Sequence, residues 1–426
     1  FCPRHPVDRV HRLEDLRWEK VAKPHEKISI RPACVSCHPT IRNSTKCNST
    51  ELRMKILLLG DYSNVHATLA EGLRTLGHEV TLASDGDGWK AYARDVDLKR
   101  YGMNWRSTMA FLWRLWRAFR HFKGYDVVQL INPVFLPLRA ERMRPFYRWL
   151  RRHNGRVFLG AFGMDRYWVK AGLDCQTFRY SDFNLGSQVR QRADNDIWIA
   201  EWLHGEKGRL NTYIAQDCDG IVAGLYEYDT YYRKEFADKL RFIPFPIDVR
   251  RAPLIADFDK TDFPAERPVR FFVGVQRDRS SYKGTDVMLR ALRRLEAERP
   301  DEVQVVKVEN VPFEEYKKAM LSCDVLLDQL YSYTPAMNAL QAMAQGLVVV
   351  SGGEPESYEI LGCTDIHPIV NVLPNETDVY EQLRALVDHK ARLPQLSHES
   401  RLYIERYHDH LKVAQAYLDF WQSVGK

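Results

Sequence analysis

Four short polar side chains, Thr334, Asn338, Gln341 and Gln345, recur at steps of four, three and four between two apolar runs. None is charged. Hydroxyls and amides at helical spacing suit the hydroxyls of a sugar or ribose. The other reading is an ordinary solvated helix face, although such faces are usually built from Lys and Glu. Asp324-Val-Leu-Leu-Asp-Gln-Leu330 precedes them and Leu347-Val-Val-Val350 follows, and both read as buried strands. Thr334-Pro335 predicts a helix start with Thr as N-cap and Pro at the first helical position. Gly346 predicts its end. Met337, Leu340 and Ala344 form the opposite, buried face. A helix that opens at a strand's carboxyl end presents unpaired N–H groups to an anion.

Two further groups of chemistry-bearing residues stand at predicted strand ends. Arg277, Arg279 and Lys283-Gly284 follow the strand Val269–Gly274, and cations on such a loop suit a diphosphate. Gly60, Asp61, Asn64 and His66 follow the strand Met54–Gly60, and Asp165 follows Arg156–Ala161. Asp165 and His66 are candidate catalytic groups, each weighed against a capping or structural role. Glu354 and Glu356 lie on the loop after Val350 and offer carboxylates to the same edge.

The elements that must position these groups alternate strand and helix from Met54 onward, which predicts parallel, doubly wound α/β sheets. In such sheets ligands gather at the carboxyl ends of the strands. The chain of 426 residues has room for two or three domains. The predicted division is an N-terminal extension over 1–53, a first α/β domain over 54–248, a second over 249–405, and a last helix over 406–426 that packs back on the first domain. Residues 1–53 lack periodicity and read as disordered or as an upstream translation artefact. Cys34, Cys37, His38 and Cys47 lack a second pair at zinc-finger spacing, so no metal is expected. Asn43-Ser-Thr and Asn48-Ser-Thr fit the glycosylation pattern, with nothing else indicating secretion. No run reaches the ~20 apolar residues that span a bilayer. A cytoplasmic protein is the expectation, and its scattered later cysteines suit reduced thiols.

Charge is uneven. From Arg100 to Arg156 there are thirteen Lys and Arg against Asp126 and Glu141. Trp105, Phe111, Trp113, Trp116, Phe119 and Phe122 are interleaved with the first group, and Phe146, Tyr147 and Trp149 with the second. Arg and aromatics together favour an anionic membrane surface at 105–123 and 139–156. The alternatives are two ordinary amphipathic helices or a nucleic-acid surface, and no nucleic-acid partner is expected.

Several stretches carry a family resemblance. Leu340-Gln-Ala-Met-Ala-Gln-Gly-Leu-Val-Val-Val-Ser351 resembles the Leu-Glu-Ala-Met-Ala-x-Gly-x-Pro-Val-Val segment of bacterial group 1, family 4-like glycosyltransferases of GT-B fold. Lys283-Gly284-Thr-Asp286, Ile243-Pro-Phe-Pro-Ile-Asp248 and Gly77-His78-Glu-Val80 are similar to further elements of that family. The resemblance spans roughly Met54 to Lys426. It implies two Rossmann-like domains facing a cleft, a nucleotide-sugar donor on the second domain, a saccharide or lipid-linked acceptor on the first, retention of configuration, and no metal or other cofactor. Arg277 and Lys283 would then hold the diphosphate, with backbone donors after Thr334. The family's Glu-x7-Glu pair falls on Tyr333 and Gln341, and its usual first-domain His is absent from Ala161-Phe-Gly-Met-Asp165. Gln341 retains hydrogen bonding to a ribose, and Glu354 or Glu356 would substitute for the lost carboxylates. The expected activity is sugar transfer in surface-polysaccharide assembly at the inner membrane face. An inactive GT-B-shaped assembly partner and a nucleotide-sugar epimerase are the competing readings.

Overall fold

The structure, a computed structural model, describes residues 53–90, 92–102, 104–275 and 280–425. The Cys34–Cys47 cluster and both glycosylation patterns lie outside the described residues, as do Arg277 and Arg279. Two parallel sheets organise the rest. The first contains β1 (Lys55–Leu59), β2 (Glu79–Ser84), β3 (Val96–Asp97), β4 (Val127–Leu130) and β5 (Arg156–Ala161). A small antiparallel hairpin, β6 (Asn184–Leu185) and β7 (Gln188–Val189), interrupts the series before β8 (Gly220–Ala223) and β9 (Leu240–Phe242). The order across the first sheet is β3-β2-β1-β4-β5-β8-β9. The second sheet holds β10 (Val269–Val275), β11 (Val303–Glu309), β12 (Val325–Leu327), β13 (Val348–Ser351) and β14 (Val370–Asn371), in the order β11-β10-β12-β13-β14.

Leu57, Leu58 and Leu59 are all fully buried, as are Val349 and Val350. Strands covered by helices on both faces lose the alternation of a half-wet sheet, which is why they read as unbroken apolar runs. Each sheet reverses its winding once, between β1 and β4 and between β10 and β12. At the first reversal Gly60 has φ +79°, and a Cβ there would stand 2.3 Å from Ile131 Cγ2. Only glycine fits this turn.

The chain crosses between the domains at a hinge. Ile247 donates its N–H to the His408 carbonyl at 2.7 Å, and His410 returns a bond to the Ile247 carbonyl at 3.0 Å. The helix Leu393–Tyr407 packs on the second domain, where the Ser397 hydroxyl bonds the Gly346 carbonyl. The last helix, His410–Ser423, lies against the helix Val65–Thr75 of the first. Its Trp421 is fully buried, and the indole N–H reaches Gln129 Oε1 at 3.4 Å. Among the described residues no helix is long and apolar enough to cross a membrane.

One expectation changes. The helix of the opening β-α-β unit runs Met337–Ala344 with Ala336 as N-cap, starting three residues after Thr334. Its polar strip is not a solvated face, because Gln345 and Thr334 are buried and only Asn338 and Gln341 are part-exposed. The basic segment 139–156 is partly engaged in the fold, while Arg139, Arg142, Arg144, Arg148 and Arg152 are exposed. Arg151 pairs with Asp217 and Asp219, Tyr147 is buried with its hydroxyl on Asp217, and the Arg156 guanidinium binds the carbonyls of Trp421 and Val424.

The contact of the last helix depends on Gly72, where a Cβ would stand 2.5 Å from the His410 carbonyl oxygen. Gly72→Ala is therefore expected to cost about 1–3 kcal/mol, the usual penalty of overpacking, read as a lowered midpoint in denaturant unfolding. An unchanged midpoint would mean that the two helices are not in register as described.

Candidate functional site

The contacts between the domains come from segments that leave strand carboxyl ends. Tyr92, after β2, meets Phe313, after β11, edge to face at 5.9 Å. Tyr282, after β10, donates its hydroxyl to Asp182 at 2.7 Å. Glu227, after β8, receives the loop after β12. Arg179 and Tyr180, beyond β5, receive the loop after β13. The two carboxyl edges, where parallel sheets bind ligands, thus face one another.

The loop 331–336 holds the middle of this interface. Glu227, 3% exposed, accepts the Tyr333 N–H at 2.7 Å and the Thr334 N–H at 3.0 Å through Oε1. Its Oε2 accepts the Thr334 hydroxyl at 2.7 Å. Burial raises the carboxyl pKa, and these donors oppose the rise. The donors that Glu227 takes belong to Tyr333 and Thr334, ahead of the helix, and the N–H groups after Thr334, expected to cradle a diphosphate, are not among them.

Tyr333 is 2% exposed and fills an aromatic box made by the first domain. It stacks on Tyr226 at 5.7 Å and 22°, with Tyr180 at 5.0 Å and Phe178 at 5.6 Å. The Arg179 N–H donates to its hydroxyl at 2.7 Å, and the Arg179 guanidinium lies over its ring at 4.7 Å. That guanidinium also binds Glu354 at 2.9 Å and Glu356, while Tyr180 donates its hydroxyl to Glu354. Tyr333, Glu354 and Glu356 are thus interdomain fasteners in this structure. The two carboxylates expected to replace the missing Glu-x7-Glu pair are both paired with Arg179.

Asp165 is likewise occupied. It caps the helix Arg166–Leu173 through the Trp168 N–H at 2.8 Å and accepts the Tyr232 hydroxyl at 2.8 Å. It is fully buried, and burial lifts its pKa to about 6. Its surroundings are those of a structural cap.

Two groups keep unspent polar capacity at the facing edges. On the second domain, Lys283-Gly284 lies beside the loop after β12, with the Leu330 N–H on the Lys283 carbonyl at 2.8 Å. Gly284 has φ +75°, and a Cβ there would meet Leu330 and Tyr331. The Lys283 ammonium stands 3.6 Å from Asp328 Oδ1, which also accepts the Asn338 amide at 3.0 Å. Tyr316 donates to Asn338 Oδ1 at 3.0 Å. Asp328 Oδ2 has no partner among the described residues. Asp328 and Tyr316 escaped the sequence reading, although an Asp just past a buried strand was the available signal.

On the first domain, His66 donates from Nδ1 to the Gly60 carbonyl at 2.7 Å, leaving the Nε2 lone pair without a partner among the described residues. Burial lowers its pKa to about 3, so the ring is neutral. The His66 backbone N–H binds Asp61 Oδ1 at 2.9 Å, while Asp61 Oδ2 has no partner among the described residues. Burial raises the Asp61 pKa to about 7. The adjoining backbone is strained, with positive φ at Ser63, Asn64 and Asp87. Asn64 uses its amide on Thr68 rather than as a helix cap.

No protein-family profile matches the chain, and no curated protein does. Solved structures do match along nearly its whole length. Sucrose-phosphate synthase from Thermosynechococcus elongatus superposes with a TM-score of 0.56 at 14% identity, covering 87% of this chain and 98% of that one. The fold is GT-B. Anabaena HepE in complex with UDP-glucose gives 0.54 at 11% identity, covering 87% and 100%. The catalytic domain of starch synthase IV from Arabidopsis thaliana, bound to ADP and acarbose, gives 0.52 at 11%, covering 88% and 100%. At such identities the likeness concerns the fold. In this GT-B chain, the first domain spans the seven-stranded sheet and the second the five-stranded one.

Two expectations follow from this site. In a double-mutant cycle, Glu227→Gln and Thr334→Val should each destabilise the chain. Their coupling should exceed ~0.5 kcal/mol, because both remove the same buried bond; additive losses would sink the contact. Asp61 carries a pH signature. Its folded pKa lies above the unfolded value, so its contribution is full below pH ~4 and lost as pH rises toward ~7. Asp61→Asn should therefore gain stability relative to wild type as pH climbs across that window in thermal melts. A constant difference would show that Asp61 ionises normally.

Proposed function

We propose that this chain is a glycosyltransferase that takes its sugar from a nucleoside-diphosphate donor on the second domain. The supporting observation is the opposition of two carboxyl edges, one carrying Lys283 and the other the unpartnered Asp61–His66 pair. In the reaction, the bond between the anomeric carbon and the diphosphate oxygen breaks, and its electron pair leaves with the nucleoside diphosphate. An acceptor hydroxyl oxygen forms the new bond to that carbon and gives up its proton. Charge develops on the leaving diphosphate, so a fixed cation there stabilises the transition state more than a strong nucleophile would.

Lys283 is our donor-side cation, with Arg277, six positions earlier in the sequence, as its partner. Asn338 and Gln341 offer amides to sugar or ribose hydroxyls. Gly60, Asp61 and Asn64 form the acceptor side. His66 Nε2 or Asp61 Oδ2 takes the acceptor proton. We propose a saccharide acceptor, lipid-linked and belonging to surface-polysaccharide assembly, and retention of configuration, on the strength of the motifs of the second domain. The solved neighbours holding UDP-glucose and ADP agree with a nucleotide donor.

One observation favours a second reading. Both positions of the Glu-x7-Glu pair lack carboxylates, and Glu354 and Glu356, which would substitute for them, are held by Arg179. A chain that binds nucleotide sugar without turning it over, as an assembly partner, fits these facts.

Calorimetric titration with UDP, ADP and GDP, and with their sugars, separates the readings. At least one nucleotide is expected to bind, and Lys283→Ala should weaken it about ten- to hundredfold, the worth of a charge-assisted bond. Failure of every nucleotide to bind would remove the donor site. Binding with neither donor hydrolysis nor transfer would select the non-catalytic reading.

A further inference from the structure

We propose that the helix Trp105–Phe119 is a docking surface for an anionic lipid bilayer, lying at headgroup depth with its indoles turned toward the acyl boundary. This reading goes beyond sugar transfer and does not depend on it.

The helix has two unlike faces. Phe111, Leu115 and Phe119 point inward and are buried. On the opposite side Trp105 is 72% exposed, Met109 58%, Trp113 57% and Trp116 57%. These four are separated by steps of four, four and three, which aligns them along one stripe. Single exposed apolar residues need no explanation, but an aligned row of large ones marks an interaction surface.

Charge identifies the occupant. No Asp or Glu occurs from Leu98 to Tyr125, whereas Lys99, Arg100, Arg106, Arg114, Arg117, Arg120 and Lys123 do. Arg114 turns inward, to the Lys99 carbonyl at 2.6 Å and Asp97 at 3.5 Å. Arg106, Arg117, Arg120 and Lys123 are exposed, and no acidic partner faces them among the described residues. Three of these guanidiniums lie by the exposed indoles: Arg106 by Trp105 at 5.5 Å, Arg117 by Trp113 at 5.5 Å, and Arg120 by Trp116 at 4.7 Å.

Indoles with cations beside them match the bilayer interface, where the ring takes headgroup depth and the guanidinium meets lipid phosphate. A second copy of the chain would bring the same positive charge and be repelled. The neighbouring segment 139–156 has exposed Arg but no exposed aromatic row, because Tyr147 is buried and Phe146 and Trp149 are half-buried. The docking surface is therefore one helix, on the domain that carries the acceptor edge. A bilayer at this helix would suit an acceptor that is itself a lipid.

Flotation of the full chain with phosphatidylcholine vesicles, with and without phosphatidylglycerol, tests the proposal. Wild type should float with the anionic vesicles and stay behind with the neutral ones. Arg117→Ala/Arg120→Ala should lower the partition coefficient about thirtyfold at low salt, taking two cations at the usual worth near a charged surface. Trp113→Ala/Trp116→Ala should lose retention and the blue shift of tryptophan emission on vesicle addition. Neither pair touches the core, so both variants should melt as wild type does and bind nucleotide as wild type does.

No flotation of wild type, equal binding to neutral vesicles, or double variants that float like wild type would overturn the proposal. Binding to duplex DNA or single-stranded RNA in place of the anionic vesicles would also overturn it, assigning the cations to nucleic acid. Loss of glycosyl transfer with retained flotation would count against the enzyme reading alone and leave this one standing.

Discussion

One buried carboxylate fixes the relation between the two domains. Glu227 leaves the end of a first-domain strand and receives two backbone N–H groups and a hydroxyl from the loop that opens the central β-α-β unit of the second. An ionised carboxylate is expensive to bury without partners, and three donors at hydrogen-bond distance offset that cost. The bond has consequences on both sides. It holds Tyr333 in its aromatic box, and from there Arg179 reaches Glu354 and Glu356.

Unspent polar capacity at the facing edges lies in two smaller groups. Lys283, Asp328 and Asn338 sit beside the winding reversal of the second sheet, and Asp61 with His66 at that of the first. Both reversals are where doubly wound sheets leave room for ligands. Asp328 positions the Lys283 ammonium without fully consuming its own hydrogen-bonding capacity. His66 is pinned through one ring nitrogen and kept neutral by burial, which leaves the other nitrogen as an acceptor. The edges are thus electrostatically unlike: one carries a fixed cation, the other carries proton-accepting groups.

The layers of the fold were legible in particular residues. Leu57–Leu59 and Val348–Val350 read as buried strands because parallel strands are covered on both sides. Gly60, Gly284 and Gly346 stand at turns with φ of +79°, +75° and +89°, conformations that few side chains tolerate. The helix after Thr334 was placed three residues early, because Thr-Pro is a strong local start signal and the bond to Glu227 overrides it. Arg179, Tyr180 and Glu227 had no local signal at all. Their partners lie 106 to 177 positions away in the chain, and periodicity reports only the face a residue presents to its own element.

The sequence by itself determined the alternation of strand and helix, the glycines at the turns, and the basic aromatic run at 105–123. All of these follow from local sterics and from hydrophobic period. Only the tertiary structure decided which polar groups are spent and which are left over. Glu354 and Asp165 are consumed as fasteners, Trp113 and Trp116 face outward while Tyr147 faces in, and Lys283 meets Asp328. Hydrogen-bonding capacity is settled by neighbours in space, and those neighbours exist only once the two sheets are brought edge to edge.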